Sequence, residues 1–310
     1  MRRPRIVVSL ITAENDYQAE QAVAAEDAAR SLGADVQILF ADGDSIEQSQ
    51  QVLSFVQAKE SERPDGIIFE PIGAPALAQV ARAAVTAGIA WVVLNKQVKY
   101  VKELRSISKA PVFMVTNDHL EIGRIQGRQL ATLLPNGGPI LCIEGIATSD
   151  PCKLRTLGMR ETLPANIQVK TLRGVWTEVS AFHAVQSHLR LSTSRHEEIV
   201  AVAAQNDAMA MGARKAFQEF ARESNYSERW DKIPFLGIDG VPKSGQAWVR
   251  SSVLTATIVA PPLAGPAVGM LVRALQTGTP PPEITLLAPY SFPPLSAFKS
   301  DRSKSATAAG

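Results

Sequence analysis

Short apolar runs alternate with helical segments along almost the whole chain, and this alternation restricts the fold more than any other feature. Runs such as Ile6–Ile11 and Ile199–Ala203 have the length and composition of buried strands. After the run Ile6–Ile11, the helical segment Tyr17–Leu32 has Asp16 as its predicted N-cap and Gly33 past its end. Repeated strand–helix units predict an α/β fold with parallel sheets, right-handed crossovers and helices on both faces.

The other predicted elements follow the same pattern. The remaining predicted strands are Val36–Phe40, Gly66–Glu70, Ile89–Leu94, Val112–Val115, Pro139–Ile143, Gln168–Leu172, Phe235–Ile238, Val253–Ile258 and Ile284–Leu287. The remaining predicted helices are a capping-box helix from Asp44 to Lys59, one from Pro75 to Ala87, one capped by Asp118, one from Lys153, and those at Thr177–Leu191, Ala208–Glu223 and Pro262–Gln276. The polar stretch Val98–Ala110 has no clear period, so no element is predicted there.

The length of 310 residues exceeds what one hydrophobic core usually serves, so two doubly wound parallel-sheet lobes are expected. The boundary between the two lobes is expected near Thr116 and Asn117, after the polar stretch. The net charge of +2 is scattered and gives no sign of nucleic-acid binding. The longest weakly polar segment, Leu254–Val272, is broken by prolines, which indicates strand and helix rather than membrane insertion.

The two cysteines, Cys142 and Cys152, are too few for a disulfide framework, although a bridge between them stays open. Cys142 is expected to be a buried, inert thiol, and Cys152 is expected before a helix with the thiol open to solvent. No Cys/His spacing suits zinc. The apolar run that starts at Ile6 is too short for a signal peptide, so none is predicted.

Polar and aromatic side chains follow the ends of several predicted strands, which is where an open α/β sheet keeps its ligand site. Carboxylate and amide oxygens accept hydrogen bonds from hydroxyl groups, arginine donates a planar fork, and aromatic faces pack on the apolar face of a sugar ring. The set therefore predicts a polyol-binding site. Its members are Asn15, Tyr17, Gln18, Asn95, Lys96, Arg155, Trp176, Asn206, Asp207 and Asp239.

Simpler roles remain open for several of these residues. Asn206 or Asp207 can cap the helix that follows, with Asp207 favoured as the cap. Asn95 can stabilise a turn, Trp176 can be a packing residue, and Lys96 can be a surface lysine. Arg155 has the strongest case, because a buried guanidinium needs an anionic or hydroxyl partner.

Signals of catalysis are weak. The sequence has no nucleophile elbow, no P-loop and no dinucleotide-binding glycine motif. His183 and His188 are five residues apart, which places them on different sides of a helix and not on one metal-binding face. No catalytic residue, metal or cofactor is predicted.

Two segments carry a family resemblance: Ala204–Ala213, with the sequence AQNDAMAMGA, and Gly237–Gly240, with the sequence GIDG. Weaker support comes from Leu94–Gln97, from Thr116–Asp118, and from Glu144–Ile146 leading to Arg155. With these segments, the chain resembles the type 1 periplasmic sugar-binding proteins, those similar to ribose-binding protein, and the ligand-sensing domains of LacI-type repressors. The resemblance runs from about Arg5 to Pro289.

The resemblance implies two lobes, joined by a three-strand hinge, that close around a ligand in a cleft lined by the candidate residues. It implies an N-terminal lobe of residues 4–116 and 260–288, and a C-terminal lobe of 117–259 and 289–298. The Ser- and Ala-rich residues 299–310 are expected to form a disordered tail. The implied function is capture of a sugar or polyol for transport or sensing by a monomer, with a transporter permease or a sensor protein as partner.

The chain also departs from this family. Asn95-Lys96 stands where pentose and hexose binders usually have an Asp-Arg pair, Gln18 replaces the second of two aromatics, and Ala260 replaces a glutamine. The ligand is therefore left open among sugars, modified sugars, cyclitols and other small polar molecules. About five residues precede the first strand, so the repressors' DNA-binding module is expected to be absent. The family implies a periplasmic location, whereas the missing signal peptide leaves open a cytoplasmic sensor domain, and an enzyme is the least favoured alternative.

Overall fold

The structure is a computed structural model that describes residues 2–73, 77–191, 198–223 and 233–298. The chain forms two compact units. The first unit comprises the residues up to Asn117 together with Pro261–Leu287, and the second comprises Asp118–Ala260 and the residues from Ala288 onward. The lobe limits expected from the sequence stay a prediction, and Pro75 and the expected tail at 299–310 lie outside the described residues.

The elements alternate along the described residues as the pattern predicts. The strands are β1 (Arg5–Leu10), β2 (Asp35–Phe40), β3 (Gly66–Phe69), β4 (Ala90–Leu94), β5 (Val112–Asn117), β6 (Gly138–Glu144), β7 (Ile167–Arg173), β8 (Ala201–Ala204), β9 (Phe235–Leu236), β10 (Thr257–Val259), β11 (Ile284–Leu287) and β12 (Tyr290–Phe292). The α-helices are α1 (Asp16–Leu32), α2 (Ser45–Gln57), α3 (Ala78–Thr86), α4 (Tyr100–Ile107), α5 (His119–Leu133), α6 (Asp150–Thr162), α7 (Glu178–Arg190), α8 (Asp207–Glu223), α9 (Gly245–Arg250) and α10 (Ala264–Thr277), with a 3₁₀ helix at Glu60–Glu62.

The first unit contains a parallel sheet in the order β11-β5-β4-β3-β1-β2. Successive residues of β1 point to opposite faces, as the pleat requires. Ile6 and Val8 pack in a core with α1 and α10, whereas Val7 packs in a second core with α2, α3 and α4. Both faces of the sheet are therefore covered, which explains the continuous apolar runs of its strands.

The second unit contains a parallel sheet in the order β7-β6-β8-β9. Leu141 and Ile143 of β6 pack in a core with α7 and α8, and Ile140 and Cys142 pack on the opposite face with α5 and α6. Strands β10 and β12 pair with each other antiparallel. The expectation of parallel pairing alone is therefore wrong for these two strands, and β12 itself was not predicted.

Three local expectations need correction. The polar stretch contains α4, whose buried side chains are Val101 and Leu104, and α9 is a further unpredicted helix. Two apolar positions three residues apart are too few to show a period. The N-cap of α1 is Asn15 and not Asp16, because the Asn15 side chain accepts from the backbone N–H groups of Tyr17 and Gln18. The predicted caps Asp44 and Asp118 are confirmed.

Cys142 and Cys152 are free thiols and both are buried. The expected exposure of Cys152 is wrong, because this residue lies inside α6 with 2% of its surface accessible. Burial raises the pKa of Cys142 to about 12 and also raises the pKa of Cys152. Since the thiolate is the reactive form, inaccessible thiols with raised pKa values are poor nucleophiles.

We therefore expect the folded protein to resist labelling by an aromatic disulfide reagent at mildly alkaline pH, with both thiols reacting after unfolding in guanidinium chloride. The measurement is the absorbance of the released thiolate over time. Rapid labelling of both cysteines in the folded protein would contradict the buried placement.

Candidate functional site

Three polar side chains meet at the carboxyl edge of the first unit's sheet. Asn95 follows β4 and donates from Nδ2 to Oε1 of Glu70 at 2.7 Å. Gln18, in the first turn of α1, donates from Nε2 to Oε2 of the same carboxylate at 2.7 Å. Glu70 follows β3 directly and has 3% of its surface accessible. We call Gln18, Glu70 and Asn95 the Glu70 cluster.

The backbone around the Glu70 cluster is held by further hydrogen bonds. The N–H of Glu70 donates to the carbonyl of Ser9 at 2.9 Å, and its carbonyl accepts from Gln48 Nε2 at 2.8 Å. The N–H of Asn95 donates to the carbonyl of Val115 at 2.9 Å. Asn95 has a φ of 61°, in the left-handed region that asparagine tolerates better than most residues. The turn after β4 is therefore built around this asparagine, which agrees with one of its two predicted roles.

The other candidates of the first unit lie at the same edge. The Tyr17 hydroxyl is buried, accepts from Asn117 Nδ2 at 2.9 Å and donates to the carbonyl of Pro261 at 3.4 Å. Lys96 is half-buried, and its Nζ donates to the carbonyls of Pro71 at 2.6 Å and Gly73 at 3.2 Å. Through these two hydrogen bonds, Lys96 stabilises the loop that follows β3.

A guanidinium, an indole and a carboxylate meet at the carboxyl edge of the second unit's sheet. Arg155 of α6 is 5% accessible, and its Nη1 donates to the carbonyl of Gln205. Its Nη2 lies 4.0 Å from Oδ1 of Asp239, and its Cζ lies 5.6 Å from the centre of the Trp176 ring. Both distances are short enough for the carboxylate and the indole ring to stabilise the positively charged guanidinium. We call Arg155, Trp176 and Asp239 the Arg155 cluster.

Trp176 is held in place from two sides. A Cβ added at Gly145 would lie 2.2 Å from Cζ2 of Trp176, so only glycine fits beneath the indole. Asn206 donates from Nδ2 to the carbonyl of Trp176 at 2.9 Å, and its Oδ1 accepts from the N–H of Met209 at 2.8 Å. Asn206 therefore makes the capping bond at the start of α8 and holds the loop that carries the indole. In this loop, Trp176 has a φ of 70°.

Asp207 is not the helix cap that the pattern favours. It is buried in the first turn of α8, where Oδ1 accepts from Thr257 Oγ1 at 2.6 Å and Oδ2 accepts from the N–H of Gly240 at 2.8 Å. Burial, followed by the negative charge of Asp239, raises the pKa of Asp207 well above that of an ordinary aspartate. These contacts favour a role in holding the Asp239–Gly240 turn over the predicted ligand contact.

The sequence pattern missed three buried polar residues at these edges. Glu70 and Glu144 each end or follow an apolar run, and Gln205 precedes the Asn206-Asp207 pair. Glu144 accepts from Thr156 Oγ1 at 2.7 Å and from Arg173 Nη1 at 2.5 Å. The strand-end rule used for the other candidates would have found both glutamates.

Seven of the ten candidates are placed within their own units as follows. Gln18 and Asn95 meet at Glu70, and Arg155, Trp176 and Asp239 meet in the Arg155 cluster, with Asn206 bonded to Trp176. Asn15 has its oxygen engaged in capping α1. That all of these side chains serve one ligand stays a prediction. Within the described residues, no group of three or more His, Cys, Asp or Glu side chains is placed to hold a metal ion, and no helix is long and apolar enough to cross a membrane.

Comparison with known proteins adds a family match that covers most of the chain. A family model described as "Periplasmic binding protein domain" matches residues 6–280. A putative rhizopine-binding protein of Rhizobium meliloti is 28% identical over 217 residues, which are 69% of this chain and 65% of that protein, just under two thirds of its length. The D-allose-binding periplasmic protein of Escherichia coli K12 is 25% identical over 87% of this chain and 84% of its own length.

A solved structure shows the same fold. An ABC transporter periplasmic solute binding protein of Actinobacillus succinogenes 130z, with bound D-allose, superposes with a TM-score of 0.80. The match covers 96% of this chain and 100% of that chain, at 21% sequence identity.

Proposed function

Because the chain belongs to the periplasmic binding protein domain family, we propose that it is a solute-binding protein that captures a sugar-like or polyol small molecule. The single observation that supports this most is the Arg155 cluster. Its guanidinium donates, its carboxylate accepts and its indole offers an apolar face. A polyol ring presents all three complementary features: hydroxyl oxygens, hydroxyl hydrogens and an apolar C–H face.

The burial of Arg155 gives this proposal an energetic basis. A charge that is 5% accessible is costly unless it is paired, and here the Gln205 carbonyl, the Asp239 carboxylate and the Trp176 ring already surround it. The guanidinium is therefore held in one orientation before any ligand arrives. Such preorganisation lowers the entropic cost of binding.

The Glu70 cluster supplies the corresponding groups on the first unit. Its amides sit at fixed positions on a rigid sheet edge, and amide groups can both donate to and accept from hydroxyl groups. We propose that this edge of the first unit binds polyol hydroxyl groups. D-Allose is the first ligand to test, because two of the similar proteins carry its name or were solved with it.

The wider setting of the proposal comes from the family. We expect the protein to act as a monomer in the periplasm and to deliver its ligand to a transporter permease or a sensor protein. We further expect binding without turnover. D-Allose or myo-inositol incubated with the purified protein should be recovered unchanged, and steady conversion to a product would favour an enzyme instead.

The proposal predicts that Arg155→Ala abolishes ligand binding. Ligand that binds only the folded state raises the melting temperature by mass action, so a thermal-shift screen over D-allose, D-ribose and myo-inositol should identify a ligand of the unchanged protein. Arg155→Ala should remove that shift, with a loss of affinity of about a hundredfold or more, since charge-assisted hydrogen bonds are lost. Isothermal titration calorimetry gives the affinity directly.

Arg160→Ala is the matched control, because Arg160 lies on the same helix with its side chain exposed. It should keep the full thermal shift. Arg155→Lys retains the charge and loses the planar fork, so it should bind more weakly than the unchanged protein without destabilising the fold as much as alanine does. A full ligand-induced shift in Arg155→Ala would remove Arg155 from the site.

A further inference from the structure

We propose that Gln205 is a positioning residue that holds the first turns of α6 against the loop after β6, and thereby sets where the Arg155 guanidinium and the Trp176 indole lie. This inference rests on the proposed function, because it concerns the Arg155 cluster. Gln205 is not among the ten candidates, and it acts through its neighbours rather than by touching the ligand. It directly follows β8 and has 1% of its surface accessible.

The amide of Gln205 joins three segments of the second unit. Its Oε1 accepts from the backbone N–H of Gly145, in the loop between β6 and α6, at 3.0 Å. Its Nε2 donates to the carbonyl of Cys152 at 3.1 Å and to Oγ1 of Thr156 at 2.9 Å, and both of these residues lie in α6. A glutamine amide has one acceptor oxygen and two N–H donors, so each of these groups has a partner. One buried side chain therefore ties together the end of β8, the loop after β6 and the start of α6.

The orientation of this amide is fixed by its partners. A reversed amide would place its NH₂ against the N–H of Gly145 and its oxygen against the carbonyl of Cys152, and neither pair can form a hydrogen bond. The Thr156 hydroxyl donates to Oε1 of Glu144 at 2.7 Å, so its oxygen is left to accept from Gln205. Because the site is buried, mismatched groups would have no water to bond to instead. One arrangement of the amide is therefore strongly favoured.

Arg155 lies in the helical turn that Gln205 holds. Cys152 and Thr156, the two partners of Nε2, are on either side of Arg155 along α6 and about one turn apart. The main chain of Gln205 contributes as well, since its carbonyl accepts from Nη1 of Arg155. The other members of the Arg155 cluster also contact the guanidinium, so Gln205 is one of several groups that orient it. Its particular effect is to fix the backbone from which the guanidinium extends.

The same amide also fixes the surface on which the indole packs. Gly145, whose N–H bonds to Gln205, lies directly beneath Trp176, because a Cβ there would be 2.2 Å from Cζ2 and 2.3 Å from Cε2 of the indole. No side chain separates the ring from this backbone, so a shift of the loop would shift the ring. Gln205 thus acts on the guanidinium through α6 and on the indole through Gly145, although the two groups belong to different segments of the chain.

The test compares two buried glutamines of the second unit. Gln205→Met keeps the length of the side chain and removes its donors and its acceptor, so we expect affinity for D-allose and myo-inositol to fall about tenfold or more, as calorimetry measures it. The control is Gln126→Met, because Gln126 of α5 is also 1% accessible and its Nε2 donates to the carbonyl of Ala204, one residue before Gln205, at 2.9 Å. Both variants should unfold at lower urea concentrations than the unchanged protein, whereas only Gln205→Met should lose affinity.

Unchanged affinity in Gln205→Met would overturn the inference. An equal fall in the two variants would overturn it too, because lost stability alone would then explain the result. Thr156→Val removes one of the three partners of the amide and hardly changes the shape of the side chain, so it keeps the test decisive if Gln205→Met does not fold. It should weaken binding about threefold to tenfold, and full affinity in this variant would also contradict the inference.

A second readout needs no ligand and separates this inference from the proposed function. The indole N–H resonance of Trp176 can be assigned in a ¹⁵N–¹H spectrum by its loss in Trp176→Phe. In the ligand-free protein, Gln205→Met should shift this resonance and speed the exchange of the Gly145 amide with water, whereas Gln126→Met should do neither. An indole resonance that stays in place overturns the inference, and failure of both polyols to bind the unchanged protein tells against the proposed function alone.

Discussion

Replacing Gly123 by alanine is expected to lower the free energy of unfolding by about 3 kcal/mol, the upper end of the usual cost of overpacking. Gly123 lies on α5 where this helix packs against α6. An added Cβ would lie 2.1 Å from the carbonyl oxygen of Arg155 and 2.8 Å from the N–H nitrogen of Met159. These are backbone atoms, so no side-chain rotation can make room. The helices have to move apart instead.

The same change should also weaken ligand binding, because the displaced carbonyl belongs to Arg155. The close approach of α5 and α6 is reciprocal: a Cβ on Gly158 of α6 would lie 2.0 Å from the carbonyl oxygen of Leu120. Separating the two helices therefore shifts the backbone that carries the guanidinium. Urea-induced unfolding gives the loss of stability, and calorimetry with the ligand found by thermal shift gives the loss of affinity.

Gly269→Ala is the matched control. Gly269 lies inside α10, and the nearest atom to an added Cβ is Leu32 Cδ1 at 3.9 Å, which is ordinary contact. Alanine is a better helix former than glycine by about 1 kcal/mol, so this variant should be as stable as the unchanged protein or slightly more stable. If Gly123→Ala were equally well tolerated, the close packing of α5 on α6 would be wrong.

Replacing Asp207 by alanine is expected to cost about 3 kcal/mol or more, because it leaves two buried donors without their acceptor. The Thr257 hydroxyl and the Gly240 N–H both bond to this carboxylate. The site is also too tight to relax: a Cβ on Gly237 would lie 2.0 Å from Oδ1, and a Cβ on Gly245 would lie 1.9 Å from Oδ2. Ligand affinity should fall as well, since the Gly240 bond holds the turn that carries Asp239.

Asp207→Asn is the conservative partner of that variant. Its amide oxygen can accept from the Gly240 N–H, and its NH₂ can donate to the Thr257 hydroxyl oxygen, so both groups keep a bond. We therefore expect this variant to be far more stable than Asp207→Ala. Equal loss of stability in the two variants would show that the hydrogen bonds of Asp207 are not what the fold requires.

The stability of the unchanged protein and that of Asp207→Asn should also depend differently on pH. The pKa of Asp207 is raised in the folded protein, so the folded state binds the proton more tightly than the unfolded chain does. This contribution to stability is fully present below the ordinary aspartate pKa of about 4 and is lost as pH rises through the raised pKa. The unchanged protein should therefore lose stability over that range relative to Asp207→Asn, as measured by urea unfolding at a series of pH values. A constant difference would contradict the raised pKa.

Much of the fold was readable from the sequence, because buried parallel strands leave apolar runs and helix ends leave caps. The run at Ile199–Ala203 and the glycine after α1 are examples of both signals. Helix α4 left no such signal, since it buries little more than Val101 and Leu104. The pairing of β10 with β12 depends on segments far apart in sequence, and no local pattern encodes it.

The candidate site was readable in part, for a physical reason. The strand-end rule finds which residues stand at a sheet edge, and it placed Arg155, Trp176 and Asp239 among the candidates. It does not find which groups bond to each other. Glu70 was counted as the last residue of a strand, although the same rule, applied to that strand, would have included it. Asp207 was assigned as a cap, because its partners Thr257 and Gly240 lie far along the chain and leave no local signal. That the two edges serve one ligand stays a prediction.

The return of the chain to the first unit has a consequence for biosynthesis. Strand β11 pairs with β5, and Val268 and Leu271 of α10 lie in the same core as Ile6 of β1. A nascent chain that has reached Asn117 therefore lacks the edge strand β11 and the part of one face's cover that α10 supplies, while α1 is already present on that face. Residues 118–260 take roughly 7–30 s to translate at ordinary bacterial and eukaryotic rates. Throughout that interval the apolar face that α10 covers in the folded unit is only partly covered. The second unit cannot be completed before the first, because its strand β10 pairs with β12, which follows β11 in the chain.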